Sequence, residues 1–157
     1  MKIVLLMVGK TSGEHLQKLI LDYQQRIGHY IGYETIIVPE LKNIKNIPVA
    51  EQKEKEADLL LKQIENQDEV ILLDEKGKLL TSVGFSELLA SRMVGSVKRV
   101  VFVIGGPFGF SPRMYQRASM LLSLSAMTFS HQLIRLLFTE QLYRAFTIIR
   151  GESYHHQ

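Results

Sequence analysis

Residues 99–109 read Arg99-Val-Val-Phe-Val-Ile-Gly-Gly-Pro-Phe-Gly109, and this stretch decides the fold. Its apolar half predicts a buried strand, and the glycines that follow predict a tight loop. Because glycine has no Cβ, such a loop lets the backbone come close to a bound molecule. A plain strand-to-helix turn would need the same glycines, so the loop fits a binding role and a structural role equally well.

The elements on either side of the loop repeat one order, a strand and then a helix. We predict strands over 2–8, 33–38, 69–74, 99–104 and 121–128, and helices over 14–30, 49–66, 82–93, 112–118 and 131–149. Five such units predict a parallel α/β sheet with crossover helices. Ligands of these sheets bind beyond the carboxyl ends of the strands, which places 73–74, 105–109 and 124–129 at one crevice.

Several boundaries carry local signals. Thr11-x-x-Glu14 predicts a capping box ahead of the first helix, and residues 75–78 predict a turn after the third strand. Ser111 followed by Pro112 predicts a helix start, and Ser130 predicts the cap of the last helix. Gly9-Lys-Thr11 is not a phosphate-binding loop, because that motif needs a glycine where Val4 stands.

Composition excludes several classes of protein. The 157 residues fit a single domain, 1–157, and contain no cysteine, which rules out thiolate metal sites, cysteine nucleophiles and disulfides. Histidine and carboxylate spacing predicts no metal site. No apolar stretch approaches the roughly 20 residues that cross a bilayer, and no signal peptide is recognisable, so we expect a cytoplasmic protein without membrane contact.

Charge is unevenly distributed along the chain. Residues 1–91 hold 11 Lys and Arg against 14 Asp and Glu, a net charge of −3. Residues 92–157 hold 8 against 2, a net charge of +6. A basic C-terminal part is what a polyanion-binding face requires, although a solvated surface can show the same asymmetry.

The last predicted helix is apolar around nearly its whole circumference, from Leu133 to Phe146. A terminal helix of a small monomer could not easily bury such a surface, so a subunit interface is predicted. Glu140 and Arg144 stand four residues apart and would also pair as neighbours on a helix surface. The tail after Gly151 carries an aromatic ring and imidazoles that could order onto RNA.

Four ordered motifs carry a resemblance to a known family. They are Val103-Ile-Gly-Gly-Pro-Phe-Gly109, Leu122-Ser-Leu-Ser-Ala-Met-Thr-Phe-Ser-His-Gln-Leu-Ile-Arg135, Glu140-Gln-Leu-Tyr-Arg-Ala-Phe146 and Tyr154-His155. With the opening Met1-Lys-Ile, they make the chain resemble the RlmH family of SPOUT RNA methyltransferases over its full length. The resemblance implies a parallel-sheet SPOUT-like (α/β knot) fold with a C-terminal trefoil knot. It also implies a homodimer that uses S-adenosylmethionine to methylate N3 of a pseudouridine in 23S ribosomal RNA of the assembled ribosome.

The same resemblance implies roles for individual residues. Cofactor contacts fall on Leu73, Gly105, Leu124, Ser125, Ala126, Met127, Thr128 and Phe129. Arg144 and His155 are implied in catalysis, and His131, Arg135, Glu140 and Tyr154 in RNA binding. Arg144 could stabilise negative charge on the pyrimidine oxygens, and His155 could accept a proton or contact phosphate. Phe108 and Ser130 stand where family members often have other residues.

Two other classes of function remain open at this point. A noncatalytic ribosome-binding assembly factor would bind RNA without a cofactor. A small nucleotide-binding regulator would bind a small ligand without depending on RNA.

Overall fold

Five parallel strands form one sheet in the computed structural model, which describes residues 1–156. The strands are β1 (Lys2–Val8), β2 (Gly32–Val38), β3 (Glu69–Leu79), β4 (Arg99–Ile104) and β5 (Met120–Ser123), in the order β2-β1-β4-β3-β5. Every pairing between neighbours is parallel, as the sequence predicts. Gln157, the last residue of the predicted domain, lies outside the described residues.

Five helices cover the two faces of the sheet. They are α1 (Glu14–Gly28), α2 (Val49–Leu61), α3 (Ser82–Val94), α4 (Pro112–Arg117) and α5 (Leu133–Arg150). Helices α1, α3 and α5 pack on one face, and α2 and α4 pack on the other. The parallel α/β class is therefore confirmed, while the trefoil knot stays a prediction.

Strand β1 lies inside the sheet, covered from both sides. Ile3, Leu5 and Met7 point into the core beneath α1, α3 and α5. Val4 and Leu6 point into the core beneath α2 and α4. A strand buried on both faces needs apolar side chains at consecutive positions, which explains the continuous apolar runs in β1 and β4.

Strand β3 is longer than predicted. It continues past Asp74 to Leu79 through an irregular register, and Lys78 pairs with Leu122 of β5. The predicted turn over 75–78 is therefore wrong. A Cβ on Gly77 would lie 2.5 Å from the backbone nitrogen of Leu122, so glycine allows the two strands to approach. The glycine that looked like a turn signal serves a close backbone contact instead.

Strand β5 is shorter than predicted and ends at Ser123 rather than Thr128. Residues 124–132 form an irregular loop before α5, which begins at Leu133 instead of 131. The hydroxyl of Ser130 accepts a hydrogen bond of 3.1 Å from the Leu133 amide, so this serine does serve the first turn. The small and polar residues after Ser123 do not mark the end of the strand in the sequence. In the structure β5 ends where its pairing with β3 ends, at Ser123.

Two other helix ends differ from prediction. The capping box at Thr11 is wrong, because α1 begins after Gly13, at φ +86°, with no side-chain cap. Helix α2 ends at Leu61 rather than 66. Helix α4 begins as predicted, with Ser111 at the cap position and proline in the first turn, although the Ser111 hydroxyl makes no cap hydrogen bond.

Most of the apolar surface of helix α5 packs against other parts of the same chain. Phe138, Leu142 and Phe146 are buried in the core that α5 shares with α1 and α3. Leu133, in its first turn, remains 40% exposed. The chain itself therefore covers more of this helix than its apolar circumference suggests, and Leu133 is its exposed apolar residue.

Candidate active site

The carboxyl ends of β3, β4 and β5 open into a cavity of about 600 Å³, which we call the main pocket. Three segments that are distant in sequence form its walls: residues 73–76, 104–110 and 122–131. Seven of the eight predicted cofactor residues line it: Leu73, Gly105, Leu124, Ser125, Met127, Thr128 and Phe129. Ala126 belongs to the same loop but is not part of the wall. The structure thus brings the predicted cofactor residues together.

Local hydrogen bonds shape the loop over 124–132. The Ser123 hydroxyl donates to the carbonyl of Ser125 at 2.8 Å, and the Ser125 hydroxyl accepts from the Met127 amide at 2.9 Å. The Thr128 hydroxyl donates to the Glu75 carboxylate at 3.3 Å, which joins the loop to β3. Short serine and threonine side chains stabilise non-regular backbone in this way, and they explain why β5 stops early.

The glycine-rich loop forms the opposite wall. A Cβ on Gly105 would lie 3.0 Å from the buried ring of Phe110, so a larger residue would crowd this wall. Gly109 has φ +76° and donates to the carbonyl of Gly106 at 3.1 Å. A positive φ favours glycine, so this turn supports the structural reason for the motif as well as the binding one.

A carboxylate supports this loop from behind. Glu56 lies against Gly106, whose amide hydrogen-bonds it, in a smaller cavity of about 240 Å³ that also contains Glu40. Burial raises the pKa of Glu56, while the Gly106 hydrogen bond opposes the rise and Glu40 adds to it.

Several polar residues of the main pocket are not predicted from the sequence. Lys53 of α2 and Lys76 of β3 both contribute to its wall. Tyr115 of α4 also lines it, and its hydroxyl donates to the Asp74 carboxylate at 2.6 Å. Asp74 was recognisable as the residue at a strand end, but no sequence pattern marks Tyr115, because only the packing of α4 brings it to β3.

The predicted residues of α5 and the tail form a second group, the tail cluster, made of Glu140, Arg144, Tyr154 and His155. The Arg144 guanidinium donates to Glu140 from Nε at 3.0 Å and again from Nη2, and it lies 3.4 Å from Nδ1 of His155. The Tyr154 hydroxyl donates to Glu140 at 3.1 Å, and the Tyr154 ring centroid lies 4.7 Å from Arg144 Cζ. The i, i+4 pair is thus present, but as part of a larger network.

This network shifts the protonation equilibria of its members. Hydrogen bonding to Glu140 raises the pKa of Arg144, which keeps the guanidinium charged. Burial raises the pKa of Tyr154, and hydrogen bonds to Tyr23 and Glu140 add to the effect. The phenol therefore remains protonated and acts as a hydrogen-bond donor at neutral pH.

His131 and Arg135 occupy very different positions. His131 lines the main pocket at the start of α5. Arg135 is 0% exposed and donates to the backbone carbonyls of Val8 at 2.7 Å and Gly9 at 2.9 Å. Burial lowers its pKa. This position argues against a direct RNA contact for Arg135 and indicates that it attaches α5 to the carboxyl end of β1.

Within residues 1–156, no group of three histidine, cysteine or carboxylate residues is arranged to hold a metal ion. Over the same range, none of the helices has the length and apolar character needed to cross a bilayer.

Comparison with known proteins identifies the family. A family model described as "Predicted SPOUT methyltransferase" matches residues 1–155. The chain belongs to the SPOUT methyltransferase family. It is 54% identical to a protein of Flavobacterium johnsoniae named "Ribosomal RNA large subunit methyltransferase H", over 100% of both chains. A protein of the same name from Christiangramia forsetii is 52% identical, again over 100% of both chains.

These full-length matches confirm that the chain belongs to the RlmH family. A crystal structure of a protein described only as hypothetical shares the fold of this SPOUT family member. The TM-score is 0.54 at 12% identity, over 94% of this chain and 68% of the other.

Proposed function

We propose that this protein methylates N3 of a pseudouridine in large-subunit (23S) ribosomal RNA, with S-adenosylmethionine as cofactor. One observation carries the proposal: residues 73, 105, 124–125 and 127–129 come from three separate segments and meet at one pocket, at positions implied by the RlmH resemblance. The names of the full-length relatives support the same activity. We place the enzyme in the cytoplasm, where it meets the ribosome.

The main pocket suits this cofactor in size and lining. Its volume of about 600 Å³ falls in the range of small-molecule sites, roughly 300–1,000 Å³. Leu73, Leu124 and Phe129 supply apolar surface that could enclose an adenine ring, and the loop backbones supply donors and acceptors for its edge. The bound cofactor supplies an electrophilic methyl group on a sulfonium, so the protein mainly has to orient the acceptor nitrogen and help remove its proton.

The tail cluster is suited to the RNA side of the reaction. As N3 loses its proton and gains the methyl group, negative charge on the pyrimidine oxygens needs stabilisation. Arg144 offers a charged guanidinium that Glu140 holds in place. The His155 imidazole lies beside this guanidinium and is available to accept a proton or contact phosphate. Tyr154 shares the network and offers an aromatic face to a base.

The two parts of the site are separate within one chain. None of Glu140, Arg144, Tyr154 or His155 belongs to the wall of the main pocket. We therefore propose a homodimer in which the tail cluster of one subunit completes the main pocket of the other. Exposed apolar side chains support this arrangement: Phe108 and Met127 line the pocket and are 51% and 75% exposed, and Leu133 in the first turn of α5 is 40% exposed. Exposed large apolar side chains at a pocket are typical of an interaction site.

Charge supports an RNA substrate. The segment after residue 91, with its net charge of +6, contains α4, the loop over 124–132 and the tail cluster. His131 and Lys53 stand at the main pocket, where they could contact phosphate. A dimer would double this basic surface, and the assembled ribosome would add recognition by shape.

The direct test is transfer of a labelled methyl group onto ribosomes from cells that lack the activity. We expect label on one pseudouridine of the large-subunit RNA, at N3, when the modified nucleosides are separated. Ribosome binding without methyl transfer or cofactor binding would instead support a noncatalytic assembly factor. Cofactor binding without any dependence on RNA would support a small-molecule regulator.

A mixed-dimer experiment tests the shared site. Gly105→Val should crowd the main pocket, and Arg144→Ala should disable the tail cluster. If the site spans two subunits, heterodimers of the two variants regain one intact site, and unfolding and refolding the mixture should restore part of the activity. If each site lies within one chain, the mixture stays as inactive as either variant alone.

A further inference from the structure

Tyr115 lies on α4, outside the residues that the family resemblance implies. Its hydroxyl donates a hydrogen bond of 2.6 Å to Oδ2 of Asp74, and the amide of Lys76 donates one of 2.8 Å to Oδ1. Tyr115 and Asp74 both line the main pocket. One carboxylate at the pocket wall is therefore held through both of its oxygens.

The tyrosine ring is itself oriented by packing. It meets the buried ring of Phe110 edge to face, with centroids 6.0 Å apart. Phe110 in turn lies against Gly105 on the opposite wall of the pocket. The hydroxyl is thus aimed at Asp74 by an aromatic pair that connects α4 to the glycine-rich loop.

The carboxylate retains capacity to accept further hydrogen bonds. An ionised carboxylate has about four lone-pair sites, and Tyr115 and Lys76 occupy only two. Within residues 1–156, Asp74 makes no salt bridge, although Lys53 and Lys76 stand at the same pocket. A fixed, half-buried carboxylate without a cation is suited to a donor group of a ligand.

We propose that Tyr115 is a positioning residue for the cofactor, which holds Asp74 so that its free lone pairs accept hydrogen bonds from a donor of S-adenosylmethionine. The inference rests on the proposed cofactor site. The cofactor carries three kinds of donor: the adenine 6-amino group, the ribose hydroxyls and the α-ammonium group. Any of them would satisfy the carboxylate, and a ligand without the amino-acid part separates the α-ammonium group from the two nucleoside donors.

The test measures the affinity of the full-length protein for S-adenosylhomocysteine by calorimetry, which needs no turnover. Hydrogen bonds to charged groups predict losses of about 5- to 20-fold for Tyr115→Phe and for Asp74→Asn. Because Tyr115 acts through Asp74, the double variant should bind about as weakly as Asp74→Asn alone. In turnover, KM for S-adenosylmethionine should rise by more than kcat falls.

Matched controls come from the far side of the molecule. Tyr33→Phe changes a tyrosine of β2 that is hydrogen-bonded to Thr35, and Asp22→Asn changes a carboxylate paired with Arg26 on α1. Neither residue lines the main pocket, and both variants should bind like the wild type. Thermal unfolding of each variant separates loss of affinity from loss of fold.

A second ligand identifies the donor. 5′-Methylthioadenosine keeps the adenine and the ribose but lacks the amino-acid part. A loss for Asp74→Asn that persists with this ligand assigns the donor to the nucleoside part, and a loss that disappears assigns the α-ammonium group.

Unchanged affinity in Tyr115→Phe, or additive losses in the double variant, would overturn the inference. A wild-type protein that fails to bind S-adenosylhomocysteine would instead refute the cofactor site itself, so the two failures are distinguishable.

Discussion

The main pocket and the tail cluster are built in opposite ways. The pocket is formed by strand ends and by loops that are rich in glycine, serine and apolar residues. The tail cluster is formed by charged and aromatic side chains that bond one another across α5 and the tail. A site formed by the backbone accepts many different side chains, but it depends on the conformation of the backbone. A network of side chains depends on the functional group of each residue. Substitutions should therefore act differently in the two regions.

The largest effect is expected in the tail cluster. Arg144→Ala should lower the methyl-transfer rate by about 100- to 1,000-fold, because it removes the proposed stabilisation of charge on the pyrimidine. Affinity for S-adenosylhomocysteine should stay within about twofold, since Arg144 does not line the main pocket. Single-turnover methylation of ribosomes and calorimetry measure the two quantities.

The matched control for this prediction is Arg150→Ala, an exposed arginine at the end of the same helix. A rate for Arg144→Ala close to that of the control would show that Arg144 has no catalytic role.

Arg135 differs from the tail cluster, because it is a charged residue of α5 that bonds the backbone of β1 and the residue after it. Arg135→Met should lower the free energy of unfolding by about 3 kcal/mol, since the carbonyls of Val8 and Gly9 lose a buried charged donor. Urea denaturation measures the loss, with the exposed Arg150→Met as control. An unfolding free energy equal to that of the control would show that the buried hydrogen bonds contribute nothing.

Gly77 tests the backbone side of the comparison. Gly77→Ala places a Cβ 2.5 Å from the Leu122 nitrogen, so β3 and β5 must separate. We expect a loss of about 1–3 kcal/mol in unfolding free energy, together with weaker cofactor binding. Gly28→Ala is the control, because an added Cβ there meets nothing within 4 Å. Equal stability of the two variants would mean that the strand approach does not require glycine.

The smallest effect concerns the carboxylate behind the glycine-rich loop. The pKa of Glu56 is higher in the folded protein than its ordinary value of 4.5. At a pH below 4.5 Glu56 is protonated and its full contribution to stability is present. This contribution is lost as the pH rises through the raised pKa. Glu56→Gln should therefore match the wild type near pH 4 and exceed it at pH 7, by less than about 1 kcal/mol after solvent screening. Urea denaturation at both pH values measures the difference, and a stability gain that does not grow with pH would contradict it.

Much of the architecture could be predicted from residue patterns. The apolar run over 99–104 predicts a buried strand, and the structure confirms it as β4. The wrong boundaries fall where tertiary contacts replace local rules. Residues 75–78 look like a turn but belong to β3, because β5 pairs again at Lys78 and Leu79 after an irregular register. Thr11 is not a cap but an acceptor for Arg135. Tyr115 could not be assigned to the pocket from the sequence, because no pattern of residues shows that α4 packs beside the end of β3.

The sequence by itself determined the class of fold, the family and the residues of the loops that line the main pocket. Apolar periodicity is set locally, and the family motifs are linear strings such as residues 103–109 and 122–135. Only the tertiary structure decided that Arg135 is a buried structural residue, that Asp74 is held by Tyr115, and that the tail cluster lies apart from the main pocket. These properties depend on the direction of side chains between distant elements, because hydrogen bonding and burial act over a few ångströms in space, whatever the separation in sequence.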